Sequence, residues 1–281
     1  MPELPEVETV ARHLRPLLEG RRIEGATIAW ARSVGGISPA RFRRAVTGAT
    51  IERVHRRAKY LLFDLGERGH LVGHLRMTGR MQVGAHPGKF VVVTMNLDDG
   101  NGWHFLDVRK FGRLLWAREL SDALPALGPE PLEPEFTAAW FHDALRARNR
   151  QIKPLLLDQA FLAGLGNIYV DEALHLAKLH PQRAASSLNR PAATRLHAAI
   201  REVLAQAVLH EGSTFDGFYR TPEGQPGSYQ HKFQVYSRTG QPCPRCKTNI
   251  RRIVVGARGT HVCPRCQRAP RVRPASKAGL R

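Results

Sequence analysis

Four cysteines constrain this chain more than any other feature. Cys243 and Cys246, then Cys263 and Cys266, form two C-x2-C pairs separated by sixteen residues. Two such pairs can close a tetrahedral four-thiolate site, and this spacing is a zinc signature. Because all four positions would be protein thiolates, the motif predicts one structural zinc ion, with no open position for catalysis. The alternative, a pair of redox dithiols, has no evident chemistry on either side of one hairpin. The segment between the pairs is strand-like on both sides of Gly256-Ala257-Arg258-Gly259. A zinc-pinned β-hairpin with Arg258 at its tip is expected.

Charge narrows the partner. Of 281 residues, 43 are Lys or Arg and 24 are Asp or Glu, a net charge of +19. Arginine dominates, in pairs such as Arg21-Arg22, Arg43-Arg44, Arg56-Arg57 and Arg251-Arg252. Guanidinium forks suit phosphate better than ammonium groups do. A polyanion, most commonly nucleic acid, is the expected partner, against the plainer reading of a basic solvated surface. The first residues have neither a basic n-region nor an apolar h-region, and no apolar run reaches the roughly 18 residues that span a bilayer. No membrane association and a cytoplasmic location are expected, where disulfides are uncommon.

The pattern along the chain changes once. After a short helix from about Pro5 to Leu18, runs at Arg22 to Ala31, Ala49 to Val54, Lys59 to Leu65, His70 to Arg76, Lys89 to Leu97, Trp103 to Val108 and Arg113 to Ala117 read as strands. Turn formers such as Gly66, Gly69, Asp98-Asp99-Gly100 and Gly112 separate them. Short strands at this spacing suggest a sandwich or barrel. Leu127-Gly128-Pro129-Glu130-Pro131 reads as a linker. Beyond it Phe136, Trp140, Phe141 and Leu145, then Leu196, Ile200, Leu204 and Val208, recur at helical spacing. Pro191 and Gly212 bracket the second of these helices. Gly212 to Gln230 is loop-like, and the residues after Gln267 read as a disordered basic tail.

The start, Pro2-Glu3-Leu4-Pro5-Glu6-Val7-Glu8, has two readings. Proline and carboxylates simply suit a helix N-terminus. The chemical reading needs Met1 removed, which the small Pro2 permits, exposing a secondary amine. An α-amino group of ordinary pKa is partly neutral near pH 7. Attack on an aldehydic carbon would then form an iminium, a covalent electron sink. Glu3, one residue away, could move protons at the same centre.

Seven segments in order then resemble bacterial formamidopyrimidine-DNA glycosylases. They are PELPEVET at the start, RRAKYLL from Arg56, HLRMTG from His74, DVRKFG from Asp107, LGPEPL from Leu127, GLGNIYVDE from Gly164, and the zinc ribbon ending in Cys266-Gln267. The resemblance covers Met1 to about Gln267. It implies an α+β fold with an N-terminal catalytic β-sandwich domain over 1–127 and a linker and first helix over 128–150. A helix-two-turns-helix domain with a lesion-recognition loop would occupy 151–235, the zinc finger 236–267 and the basic tail 268–281. It further implies a bifunctional glycosylase and abasic-site lyase of base excision repair, a monomer acting on damaged double-stranded DNA with the lesion flipped out of the stack. By the family pattern Pro2 is the nucleophile and Glu3 the acid. Lys59 is linked to β-elimination and Arg258 to phosphate grip and δ-elimination. Asn167, Arg148, Lys153 and His74 would contact DNA, while Met77, Arg109 and Phe111 would fill the gap left by the flipped base.

The sequence departs from the pattern at Phe90 and Val91, where some relatives carry histidines near a DNA contact, and at Ser237, which replaces a common glycine. Two rivals remain open. A pyrimidine-directed relative like endonuclease VIII usually begins Pro-Glu-Gly-Pro-Glu, against which Leu4 stands. The full-length 212–230 loop, with Ser213, Thr214, Tyr219 and Tyr229 available to cap a purine, also favours the purine reading. A non-catalytic DNA-binding clamp would have no need of Pro2, Glu3, Lys59 and Arg258 together.

Overall fold

The computed structural model describes residues 1–214, 217 and 219–270. The basic tail expected over 268–281 therefore lies outside the described residues from 271 onward.

Helix α1 (Leu4–Leu18) starts with Pro5 in its first turn and a capping box between Glu3 and Glu6. Its buried stripe of Leu4, Val7, Val10, Ala11, Leu14 and Leu18 follows helical periodicity. After β1 (Ile23–Ile28) and β2 (Val34–Gly35) comes α2 (Pro39–Val46), capped by the Ser38 hydroxyl and buried through Phe42 and Val46. The strands β3 (Arg53–Arg57), β4 (Tyr60–Asp64), β5 (His70–His74), β6 (Gly79–Gly84), β7 (Val91–Leu97), β8 (Gly102–Asp107) and β9 (Arg113–Ala117) follow. They form two sheets, ordered β1-β7-β8-β6 and β2-β9-β5-β4-β3, antiparallel except where β2 meets β9. Inward residues of both sheets, among them Val54, Leu61, Phe63, Met95, Trp103 and Phe105, share one core with α1 and α2. Phe63 meets Trp103 across the sheets with ring centroids 4.5 Å apart. This is the expected sandwich.

Several elements differ from the sequence reading. Helix α2 and strand β6 stand where neither was expected. The strand expected over Ala49 to Val54 begins only at Arg53, because Ala49 and Ile51 turn back to pair with Ile23 and Arg21.

The remaining helices are α3 (Leu120–Ala123), α4 (Ala138–Arg146), α5 (Ile152–Leu156), α6 (Asn167–Leu176) and α7 (Arg190–Leu209). The apolar residues Phe141 and Leu145 of α4, and Leu196, Ile200 and Leu204 of α7, are buried as their spacing requires. The chain ends in the hairpin β10 (Arg251–Val255) and β11 (Arg258–Val262). Its turn is Gly256-Ala257, both at positive φ (56° and 59°), as a two-residue primed turn demands. Arg258 is therefore the first residue of the returning strand and not the tip itself.

Contacts divide the chain into two compact units, 1–136 with 156–166 and 201–232, and 137–155 with 167–200 and 233–281. No helix among the described residues is long and apolar enough to cross a membrane.

Candidate active site, DNA-contact residues and metal centre

The N-terminus of α1 is held by a loop distant in sequence. Pro2 and Glu3 are both buried. The Glu3 carboxylate accepts from the Gly166 amide at 2.7 Å, and the Glu3 amide donates to Glu6 Oε2 at 2.8 Å. A Cβ on Gly166 would overlap the Glu3 carboxyl, so only glycine allows this approach. The Lys59 ammonium, also buried, donates to the Leu165 carbonyl at 2.7 Å. Gln159 holds the same loop, donating to Leu165 O at 2.9 Å and accepting from the Gly164 amide. Glu3 and Lys59 are thus brought to neighbouring residues of one loop, Leu165 and Gly166.

Three other expected residues form a group on the first unit. Asp107, at the end of β8, is buried and accepts from the Thr78 hydroxyl and from the Arg109 and Gly112 amides. This carboxylate joins the β5–β6 and β8–β9 connections and projects Met77, Arg109 and Phe111 from them. Met77 is 40% and Phe111 49% exposed, unusual for large apolar side chains. Arg109 bridges them, with Nη1 3.2 Å from the Met77 sulfur and its guanidinium carbon 4.8 Å from the Phe111 centroid. His74 lies apart from this exposure: it is buried, and its Nδ1 accepts the Arg76 amide at 3.0 Å. Burial, then the positive charges of Arg76 and Lys59, push its pKa down to about 3. It is neutral, with its proton on Nε2.

In the second unit, Lys153 is fully buried and pairs with Asp171 at 2.6 Å. The other Asp171 oxygen accepts the His261 amide at 2.8 Å. Lys153 Nζ and Asn167 Nδ2 both reach the Gly259 carbonyl, at 3.3 and 3.0 Å. Asn167, the first residue of α6, and the hairpin are therefore locked together one residue from Arg258. Arg258 and Arg148 are exposed. Glu172 accepts three successive amides, from Gln234, Val235 and Tyr236, which fixes the strap leading to the finger.

The four cysteine sulfurs lie within 4.8 Å of one another, with Cys246–Cys263 at 3.4 Å and Cys243–Cys266 at 4.0 Å, and none is in a disulfide. A tetrahedral zinc with sulfur at about 2.3 Å separates its ligands by about 3.8 Å, so these residues fit the ion. Gln267 secures the second knuckle, its Oε1 accepting the Cys263 amide and its Nε2 donating to the Leu179 carbonyl.

Comparison with known proteins places this geometry. Three family models match: the formamidopyrimidine-DNA glycosylase N-terminal domain over residues 1–114, its H2TH domain over 127–218, and the zinc finger found in FPG and IleRS over 240–269. The chain belongs to the formamidopyrimidine-DNA glycosylase family. It is a DNA glycosylase of base excision repair that carries one structural zinc ion. The Symbiobacterium thermophilum formamidopyrimidine-DNA glycosylase is 47% identical over 96% of this chain and 90% of that protein. A Lactococcus lactis FPG mutant bound to Fapy-dG containing DNA superposes with a TM-score of 0.87 at 38% identity, covering 95% of this chain and all of that one. A MutM structure with carbocyclic 8-oxo-G containing DNA gives the same score, identity and coverage.

Several residues that organise this glycosylase site escaped the sequence reading. Asp107, Asp171, Glu172 and Gly166 all lie inside the quoted motifs, so an acid or glycine within such a motif was the available signal. Gln159 carried none.

Proposed function

We propose that the chain excises oxidised purines, 8-oxoguanine and formamidopyrimidines, through the amine of Pro2, and then cleaves the strand by β,δ-elimination. The purine-lesion complexes of its structural relatives support this choice. The observation that carries the chemistry is the placement of Glu3 and Lys59 on adjacent residues of the 164–166 loop, at the start of the helix that Pro2 precedes. With Met1 removed, the Pro2 nitrogen attacks C1′, the glycosidic bond breaks and the base leaves with its electron pair and a proton. Glu3 delivers a proton to the ring oxygen, which opens the sugar to an iminium. Loss of a C2′ proton, assisted by Lys59, expels the 3′ phosphate, and a second elimination expels the 5′ phosphate. Hydrolysis of the imine returns free Pro2.

Arg258 grips phosphate and promotes the second elimination. Asn167, with one amide proton on Gly259, offers the other to the backbone. Arg148 lines the same path, and Lys153 holds the platform through Asp171. Met77 and Phe111 wedge the stack while Arg109 hydrogen-bonds the orphaned base. His74 presents Nε2–H to the damaged strand. The 212–230 loop caps the flipped purine. In this reading domains run 1–127, 151–235 and 236–267, with the linker and first helix over 128–150, and a monomer works in the cytoplasm on nucleoid DNA.

Incubation of the protein with a labelled 8-oxoguanine·cytosine duplex and borohydride, followed by peptide mapping, tests the reading. A covalent adduct on Pro2 is expected. Tight binding without an adduct would leave a binding clamp, and faster excision of thymine glycol would move the substrate to pyrimidines.

A further inference from the structure

The face of α1 opposite its apolar stripe carries an unusual contact. His13 Nε2 lies 2.9 Å from Glu211 Oε1, and His13 Nδ1 lies 2.5 Å from Glu223 Oε2. A single imidazole thus spans two carboxylates, one just past the end of α7 and one inside the 212–230 loop. Both ring nitrogens can donate only when the ring is protonated. The segment bearing Glu223 is an ordered turn: Thr221 N donates to Gln225 O, Gly224 N to Thr221 O, and Arg220 Nη1 to Gly224 O. Glu223 is therefore a handle on a preformed unit. The same stretch of α1 touches the loop again at Glu6, which accepts the Ser213 amide at 2.7 Å. The helix that begins at Glu3 is thus tied to the loop at two places.

We infer that His13 is a positioning residue for lesion recognition, its doubly bonded imidazolium holding the Glu223 turn of the loop in place over the flipped base. The inference rests on the proposed role of the loop as the reader of the purine. The groups facing the ring favour its charge. Burial pulls the His13 pKa down, but hydrogen bonds and charges from Glu223 and Glu211 outweigh it and raise the pKa above 6.5. Burial pushes Glu223 up, and its bond to His13 outweighs that, so it stays below the usual carboxylate range. Tyr219, whose phenol donates to the Glu211 carbonyl at 3.0 Å, is held neutral first by burial and then by the charge of Glu6. A base whose folded pKa is raised contributes its clamp fully below pH 6.5 and loses it as pH rises through the higher folded value.

The step that reads the base should feel this clamp, and the step that has no base to read should not. Single-turnover rates are measured on an 8-oxoguanine·cytosine duplex and on an abasic duplex for the wild type, His13→Gln and Glu223→Gln. Both variants are expected to slow 8-oxoguanine excision about fivefold at pH 6.5, as for loss of about 1 kcal/mol, with abasic cleavage unchanged. The ratio of the two wild-type rates should fall as pH rises above 7, and His13→Gln should flatten that fall. Equal slowing on both substrates, or no slowing on either, would overturn the inference. Replacing Thr221–Gln225 by two glycines separates the underlying reading. If that truncation leaves 8-oxoguanine excision intact, the loop does not read the base. If it abolishes excision while His13→Gln leaves the rate unchanged, only the role of His13 fails.

Discussion

At the scale of single residues, the chemistry of this site depends on which buried groups are charged. His74 is the clearest case. Its folded pKa of about 3 lies below the free value of 6.5, so as pH falls the unfolded chain takes the proton first. The stability linked to His74 is complete above pH 6.5 and drains away below it, by about 2 kcal/mol at pH 5. His74→Asn keeps an acceptor for the Arg76 amide without titrating. Denaturant melts at pH 7.5 and pH 5 should show the wild type losing about 2 kcal/mol more than the variant, and parallel losses would refute the assignment. The motif HLRMTG marked His74 in the sequence, but its burial was not legible there, because Tyr60, which packs on it, lies on the neighbouring strand β4, and the Lys59 charge comes from the turn before that strand. Lys153 teaches the same lesson. Its position was readable, whereas its ion pair with Asp171 depends on how α5 packs beside α6. Long side chains advertise charge in a sequence but not their counter-charge.

At the scale of elements, legibility followed the strength of the local pattern. Helices α1 and α7 show their period plainly, and so do the Val- and aromatic-rich strands. Strand β6 did not, because Gly-Arg-Met-Gln-Val-Gly offers two apolar residues between glycines, and its place is set by pairing with β8. Helix α2 had a usable signal, Ser38-Pro39 followed by Phe42 and Val46 four apart, masked by three arginines. In the hairpin the strands were readable but the turn was two residues shorter than expected, since Arg258 pairs with Val255. Gly256 is required there both for its φ of 56° and because a Cβ would come within 2.8 Å of Pro154. The finger is small, with a core of Val235, Cys243, Ile250 and Cys263, so its hairpin depends on the metal. Cys246→Ser should release zinc, loosen Arg258 and weaken binding to a lesion duplex, while borohydride trapping on an abasic sugar partly survives. Zinc content and Kd measured on the same preparation check this, and loss of zinc with Kd unchanged would show that the finger is not a grip.

At the scale of the whole molecule, the units are not collinear with the chain. Segments 156–166 and 201–232 join the first unit through contacts such as Gly166 with Glu3 and Ser213 with Glu6, separated by 163 and 207 residues. No periodicity in a sequence encodes such pairings; only the motif order hinted at them. Charge, by contrast, was fully legible, and it carries a global prediction. A net charge of +19 favours any polyanion, but specific engagement of the backbone releases a countable number of cations. Each phosphate contact lowers the logarithm of the binding constant by about 0.9 per logarithm of salt. About six contacts would cost about 10³-fold in affinity between 50 and 200 mM salt. Titration of a lesion duplex across that range should therefore give a slope steeper than about −4. Arg258→Ala should reduce the slope by about 1 if that guanidinium holds a phosphate. An unchanged slope would place Arg258 away from the backbone, and a flat wild-type dependence would mean that the basic surface serves solubility and does not grip DNA.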